Sequence, residues 1–223
     1  MCGRFSLSLS ASDVKKLFDI DLCYDAVQSY IKTWNISPGM SSPVFFSEES
    51  QRTTLSMMKW GMPQRVFSSK KQGVSINTRC ENFIEKTYYR QFLESRCVIP
   101  ATGYYEWMKQ SGLPIPFYIK HAADKCLFLA GIHDEGSAYS IITTEARSDL
   151  KHIHGRMPFI LSRDYASLWI KEKNLKPSDM TEMLLAKNME LEYYSVSMFV
   201  NSTANNSVRC IERVSYNEQP DLF

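Results

Sequence analysis

Apolar and polar positions change period along this chain, and the change separates a strand-rich middle from helical flanks. Near the start, Ser12 and Asp13 precede Val14, Leu17 and Phe18. A capping residue followed by apolar side chains three and four apart predicts a short helix over 12–19. Trp34, Asn35, Ile36, Ser37, Pro38 and Gly39 carry turn chemistry and read as a loop. The runs 42–47 and 53–60 read as strands. Over 86–95, Tyr89, Phe92 and Leu93 fall on one side of a predicted helix. The stretches 96–99, 103–109, 115–120, 126–132 and 138–144 are dense in Val, Ile, Phe and Tyr and predict strands. Ser111 and Gly112 supply a two-residue hairpin turn between two of them. Helical spacing returns over 163–170 and 178–187, and a last strand is predicted over 191–197. Successive hairpins with a few peripheral helices predict an α+β fold built on antiparallel strands. No repeat and no Pro/Gly/Ser-rich linker interrupts the pattern, which predicts a single domain over residues 1–223.

Composition narrows the function classes. The 223 residues are 44% hydrophobic and 22% charged, which supports a sizeable core and excludes a disordered chain. No apolar run approaches the ~20 residues of a membrane helix, and the first residues lack the pattern of a signal peptide. The expected setting is a bacterial or phage-infected cytoplasm, or a nucleus if the host is a eukaryote. Lys+Arg 26 against Asp+Glu 24 leaves +2. Net charge therefore does not draw polyanions, and phosphate binding has to come from locally gathered arginines.

The 6 cysteines form no C-x-x-C pair, which argues against a zinc ribbon or a redox motif. Cys97 and Cys126 lie in apolar runs and read as packing residues. Cys2 differs by its place. A small second residue permits removal of Met1, and Cys2 then carries a free α-amine beside its thiol; a retained Met1 blocks that amine. The reference pKa of an α-amine is about 7.7–8.0 and that of a thiol about 8.5. Two chemistries use the pair. The amine can act as base for the thiol in attack on an amide. Alternatively it can attack an aldehyde to form a Schiff base, whereupon the thiol closes a five-membered thiazolidine.

Other segments offer supporting chemistry. Asn77, Thr78, Arg79, Cys80 and Glu81 combine an orienting amide with a guanidinium fork suited to phosphate. Glu106 sits within Gly103, Tyr104, Tyr105, Glu106 and Trp107, where alternation turns it away from Tyr105 and Trp107. Apolar surroundings raise a carboxyl pKa and suit it to acid–base work. His152, His154 and Arg156 suit proton transfer beside a phosphate better than metal ligation, since no further ligand cluster accompanies them. Thr144 reads as a helix cap, Thr143 as a possible phosphate ligand, and 196–211 as a structural loop.

The ordered set of these motifs resembles the SRAP (SOS response-associated peptidase) family. The matching pieces are Met1 to Phe5, Asn35 to Gly39, Trp60-Gly61, Asn77-Thr78-Arg79 with Glu81, Gly103 to Trp107, Ile142-Thr143-Thr144, His154 to Pro158 and the segment 196–206. The resemblance implies an SRAP domain with a barrel-like antiparallel core and peripheral helices. It implies a sensor of abasic sites in single-stranded DNA that forms a thiazolidine cross-link through Cys2. Weak lyase activity, self-reversal and an autopeptidase step exposing Cys2 are implied as well. Asn77 would orient the reacting N-terminus, Glu106 act as acid and base, and His154 assist ring opening. Arg4, Arg79, Thr143 and Arg156 would hold phosphates; Ile36 and Pro38 would press on bases; Gly3, Asn35 and Trp60 complete the DNA-facing set. Where some family members carry tryptophans after the Trp-Gly element, this chain offers Phe67. The chemistry needs no metal or organic cofactor, the partner is abasic single-stranded DNA, and a monomer is expected. Two other readings remain open from the residues: an N-terminal-nucleophile amidohydrolase using Cys2, and a non-enzymatic single-strand binder.

Overall fold

The computed structural model describes residues 2–18, 29–48, 52–63, 73–85, 92, 94–110, 113–123, 125–134, 136–185 and 189–215. The chain enters through β1 (Phe5–Leu7), α1 (Ala11–Lys16), β2 (Thr33–Ile36), β3 (Ser41–Ser47) and β4 (Thr53–Trp60). Three short strands, β5 (Met62–Pro63), β6 (Val74–Ser75) and β7 (Asn77–Arg79), lead into α2 (Cys80–Glu85). The middle holds β8 (Arg96–Ala101), β9 (Gly103–Gln110), β10 (Leu113–His121), β11 (Leu127–Asp134) and β12 (Ala138–Glu145). After β13 (Arg156–Pro158) and β14 (Ile160–Leu161) come α3 (Arg163–Lys171), α4 (Pro177–Leu185) and β15 (Leu191–Ser195).

Two sheets carry the fold. The first runs β15-β10-β9-β1-β2. The second runs β13-β12-β4-β3-β8-β11-β14, and a further β11–β12 pairing closes β12, β4, β3, β8 and β11 into a ring. The α+β expectation with a barrel-like antiparallel core therefore holds. β8 is buried along its whole length, as are β11 and β12 up to their last residues. Both faces of these strands are covered, which explains their unbroken apolar runs. Phe45, Leu55, Val98, Leu129 and Ile141 are among the fully covered residues of this core. α3 packs on β8, β3 and β11 and buries Ala166, Trp169 and Ile170.

Local differences from expectation have local causes. The first helix starts a residue earlier than the spacing suggested, because the Ser10 hydroxyl accepts the Asp13 N–H at 3.1 Å and caps it. Trp34, Asn35 and Ile36 are not loop. They form β2, drawn into register by Phe5 opposite Ile36, and the turn is left to residues after Ile36, with Gly39 at φ 90°. Thr144 caps no helix; it lies in β12 opposite Met157. The segment 196–211 holds two 3₁₀ turns, Met198–Asn201 and Val208–Ile211. Most of the predicted 86–95 helix, the 111–112 turn and Phe67 lie outside the described residues. The strands flanking that turn pair at Gln110 and Leu113, as a two-residue hairpin requires.

Candidate active site

The two sheets meet where β1 begins. The lead-in to β1 is tied to β9 through the Tyr105 N–H, which donates to the Arg4 carbonyl at 2.9 Å. Cys2 lies just before it and is fully buried. From the second sheet, Asn77 at the start of β7 donates its Nδ2 to the Cys2 carbonyl at 2.8 Å. The Asn77 Oδ1 is buried and accepts no hydrogen bond. A carboxamide whose N–H holds the residue-2 carbonyl, and whose oxygen is open, is placed to orient an amine on that residue. Burial pushes the Cys2 thiol far up, with the nearby Glu106 carboxylate adding to it. At neutral pH the sulfur is a protonated thiol rather than a thiolate.

Glu106 comes from β9, on the face opposite Tyr105 and Trp107, which pack into a separate cluster with Tyr118 and Val200. The alternation read from the sequence holds. Glu106 is 4% exposed, and burial raises its carboxyl to about 7 despite the pull of the N-terminal ammonium. Its Oε2 lies 3.9 Å from His154 Nδ1. That nitrogen sits 3.0 Å from the Arg156 N–H and 3.1 Å from the Arg156 carbonyl. It thus has a partner whether it accepts or donates. Partial burial lowers the His154 pKa, so the imidazole is largely neutral at pH 7. Glu106, His154, Tyr104, Ile153 and Met157 line a pocket of about 10 Å³, space for roughly one water. A groove of about 780 Å³ lies elsewhere and includes none of these residues.

The arginines expected at phosphates differ in state. Arg156 reaches Glu81 with both terminal nitrogens, at 2.6 and 3.0 Å. Its Nη2 also donates to the Thr143 carbonyl at 2.7 Å and hydroxyl at 3.2 Å. β7 runs parallel to β12 with Arg79 beside Thr143, and α2 then presents Glu81 in its first turn. Arg79 itself is exposed. Arg4 donates to Asn35 Oδ1 at 2.6 Å and the Val200 carbonyl at 2.9 Å, and its guanidinium stands 5.8 Å from the Trp107 ring centre.

Four residues expected to face DNA are inside. Ile36 and Trp60 are each 1% exposed; Trp60 stacks on Tyr139 and donates to the Ile76 carbonyl. Asn35 spends its amide on the carbonyls of Val200, Ser202 and Asn205. Thr143 is fully buried beneath Arg156. These residues build the surface that Arg4, Pro38 and Arg156 present. Gly3 is half-buried and Pro38 exposed. Sequence reasoning gave Glu81 no role; its opposite charge to Arg156 was the available signal. It also left Trp107 without a part, although an aromatic beside Arg4 pairs naturally with a base. Among the described residues no cluster of His, Cys, Asp and Glu could hold a metal.

A buried Cys near the chain start, an amide on its carbonyl, and a raised carboxyl beside a neutral imidazole are the kinds of group from which a nucleophile and an acid–base pair can be built. The chain belongs to the SOS response associated peptidase (SRAP) family, whose model matches residues 1–203. It is 34% identical over 224 residues to the abasic site processing protein YoaM of Bacillus subtilis, covering 95% of this chain and 98% of that one. The abasic site processing protein HMCES of Xenopus tropicalis is 28% identical over 268 residues, covering 96% of this chain and 78% of the relative. A crystal structure of a Bacteroides thetaiotaomicron protein shares the fold, with a TM-score of 0.77 at 22% identity over 96% of this chain and all of that one.

Proposed function

We propose that this protein captures abasic sites in single-stranded DNA as a covalent cross-link through Cys2. The observation that carries the reading is the buried Cys2 held by Asn77 with Glu106 and His154 alongside; the names of its relatives agree with it. Loss of Met1 frees the Cys2 amine. The amine adds to the C1′ aldehyde of the ring-opened deoxyribose, and the carbinolamine loses water to give an imine. The thiol then adds to the imine carbon while its proton goes to nitrogen, closing the thiazolidine. Because the thiol is held protonated, the amine reacts first. His154 serves ring opening. Glu106 at about 7 can give a proton to the departing hydroxide and take one back, so the same group serves formation and reversal.

Arg79, Arg4 and Arg156 provide the phosphate contacts, with Trp107 and Pro38 against bases. β-Elimination from the imine would give weak lyase activity, and autoproteolytic exposure of Cys2 would give the peptidase activity of the family name. The proposed working form is a soluble monomer in a cytoplasm or nucleus. No described helix is long and apolar enough to cross a membrane. The amidohydrolase reading would need an oxyanion hole beside Cys2, and release of ammonia from glutamine with no DNA adduct would favour it.

The test is intact-mass spectrometry after mixing protein lacking Met1 with an oligonucleotide bearing one abasic site. A covalent adduct that disappears in Cys2→Ala, with some DNA binding kept, is the expected result. A heat-stable adduct in Cys2→Ala would sink the assignment.

A further inference from the structure

The groove of about 780 Å³ lies at the far end of β1, and the chemistry above does not use it. Lys16 at the end of α1, Lys32 before β2, Lys125 before β11 and Arg163 at the start of α3 line it. All four are exposed. None has an ion-pair partner among the described residues. Some other surface cations are paired: Lys120 and Arg213 with Glu192, Arg147 with Asp149, Lys151 with Glu145. Asp13 is the acid of the lining; it accepts the Ser10 hydroxyl and sits within the field of Lys16 and Lys125. Among the described residues, four cations around one carboxylate leave a local excess of positive charge in a chain whose net charge is only +2. Concave walls of one sign focus that potential and concentrate anions. The lining also carries the half-buried Leu9, Leu17 and Met189, so the groove offers an apolar surface beside its cations.

We propose that this groove is a second binding site, for a nucleotide unit. Its phosphates would lie among Lys16, Lys32, Lys125 and Arg163, and its base against Leu9, Leu17 and Met189. The volume suits one nucleotide, since small-ligand sites run to roughly 300–1,000 Å³. The site is separate from the Cys2 centre. Glu106 lies opposite Phe117 on β10, whereas the groove is reached at His121, about 13 Å further along at ~3.3 Å per residue. The proposal does not rest on the cross-linking chemistry. The same chemistry could come from a free nucleotide or from a nucleotide of a bound strand.

The experiment is calorimetric titration of the full chain with ATP, with an undamaged oligothymidylate and with inorganic tripolyphosphate, at low salt. ATP or the oligonucleotide should bind, and Lys125→Glu/Arg163→Glu should weaken that binding by at least ~10-fold, about the effect of removing one charge-assisted contact. Dependence on these residues for ATP alone identifies a free nucleotide as the source; dependence for the oligonucleotide identifies a strand. Lys16→Ala/Lys32→Ala repeats the test from other elements if the first pair fails to fold. Saturation of neither probe in the wild type overturns the proposal, as does equal binding by the variants. Tripolyphosphate binding as tightly as ATP overturns the role of the apolar lining. End-point cross-linking to an abasic oligonucleotide, measured in parallel, reports on Cys2 separately.

Discussion

Two ionisable side chains lie at the same depth in this protein and are treated in opposite ways. Glu106 and Arg96 are each 4% exposed. Arg96 has acceptors for two of its three guanidinium nitrogens: its Nε donates to the Trp169 carbonyl at 2.6 Å, its Nη2 donates to the Glu172 carbonyl, and its guanidinium lies 5.6 Å from the Trp169 ring centre. Those carbonyls are the orphan groups at the end of α3, where a cation also suits the helix dipole. Burial lowers the Arg96 pKa only to about 10, so the charge persists and holds α3 to the barrel. Glu106 faces a thiol, a neutral imidazole, the N-terminal ammonium and apolar side chains, and burial outweighs that ammonium to raise its carboxyl to about 7. At equal burial, acceptors at the helix end keep the arginine charged, whereas desolvation outweighs the partners of the carboxylate and leaves it poised to exchange a proton near neutral pH.

Arg96→Ala should break the structural half of this comparison. It strands two buried carbonyls and removes packing against Trp169, a loss of about 3–5 kcal/mol. Urea denaturation should show it, while cross-linking per folded molecule stays at the wild-type level. A loss of less than about 1 kcal/mol would mean that water replaces the guanidinium.

The second prediction concerns the pH dependence of stability. Folded Glu106 keeps its proton up to about 7, against a reference value of 4.5. Its contribution is complete below 4.5 and is lost as pH rises through about 7, because the unfolded chain binds fewer protons in that interval. The stability of wild type relative to Glu106→Gln should therefore fall by about 3 kcal/mol across it. His133 gives the opposite sign. Burial lowers it to about 4 from 6.5, so its contribution is present above 6.5 and lost as pH falls through about 4. Chemical denaturation at a series of pH values separates the two. A flat difference between wild type and Glu106→Gln would place Glu106 in a better-solvated setting.

The third prediction tests the chemical half. Glu106→Gln keeps the shape and removes the proton exchange, so cross-linking should slow by roughly 10²-fold with no loss of stability at pH 8. The rate profile of the wild type should inflect near the Glu106 value of about 7, and that inflection should vanish in the variant. Rapid-quench measurement of adduct formation checks both. An unchanged rate would reduce Glu106 to a packing residue.

Much of the fold was legible in the sequence. β-Branched and aromatic runs marked β8, β11 and β12 because both faces of these barrel strands are buried, and the same residue types marked β9 and β10 in the first sheet. The closure of that barrel was not legible. It depends on a parallel pairing of Ala138 with Lys59 and Tyr139 with Trp60, between strands far apart in sequence, which no local period encodes. β2 was hidden because Ser37, Pro38 and Gly39 dominate the local signal, whereas register with Phe5 decides the outcome. At the site, motif resemblance named Cys2, Asn77, Glu106 and His154, and the fold brings them together. It did not separate residues that face solvent from residues that hold up that surface. Asn35, Ile36, Trp60 and Thr143 belong to the second kind, because their polar groups are satisfied or their side chains enclosed within the protein. The tie from Arg4 to Val200 spans 196 positions and has no sequence signature.

The smallest effect concerns the two arginines flanking Thr143. Arg156 is already met by the Glu81 carboxylate and the Thr143 oxygens, so a phosphate reaching it has to compete with a bidentate pair. Glu81 is held below the usual carboxylate range by its hydrogen bond to Arg156, so that competition persists at neutral pH. Arg79 is exposed beside the same strand and has no such competitor in hydrogen-bonding range among the described residues. A cation released from solvent alone adds fully to the counterion term of binding. Arg79→Ala should therefore reduce the salt slope of single-strand binding by about 0.7, the value for one phosphate contact, and weaken affinity by roughly 1 kcal/mol at low salt. Glu81→Gln should act in the opposite direction, since it loosens the grip on Arg156 and frees a second guanidinium for phosphate. Fluorescence anisotropy at several salt concentrations distinguishes the pair. An unchanged slope in Arg79→Ala together with a reduced slope in Glu81→Gln would mean that the Arg156–Glu81 pair, rather than the exposed arginine, is the surface on which the strand rests.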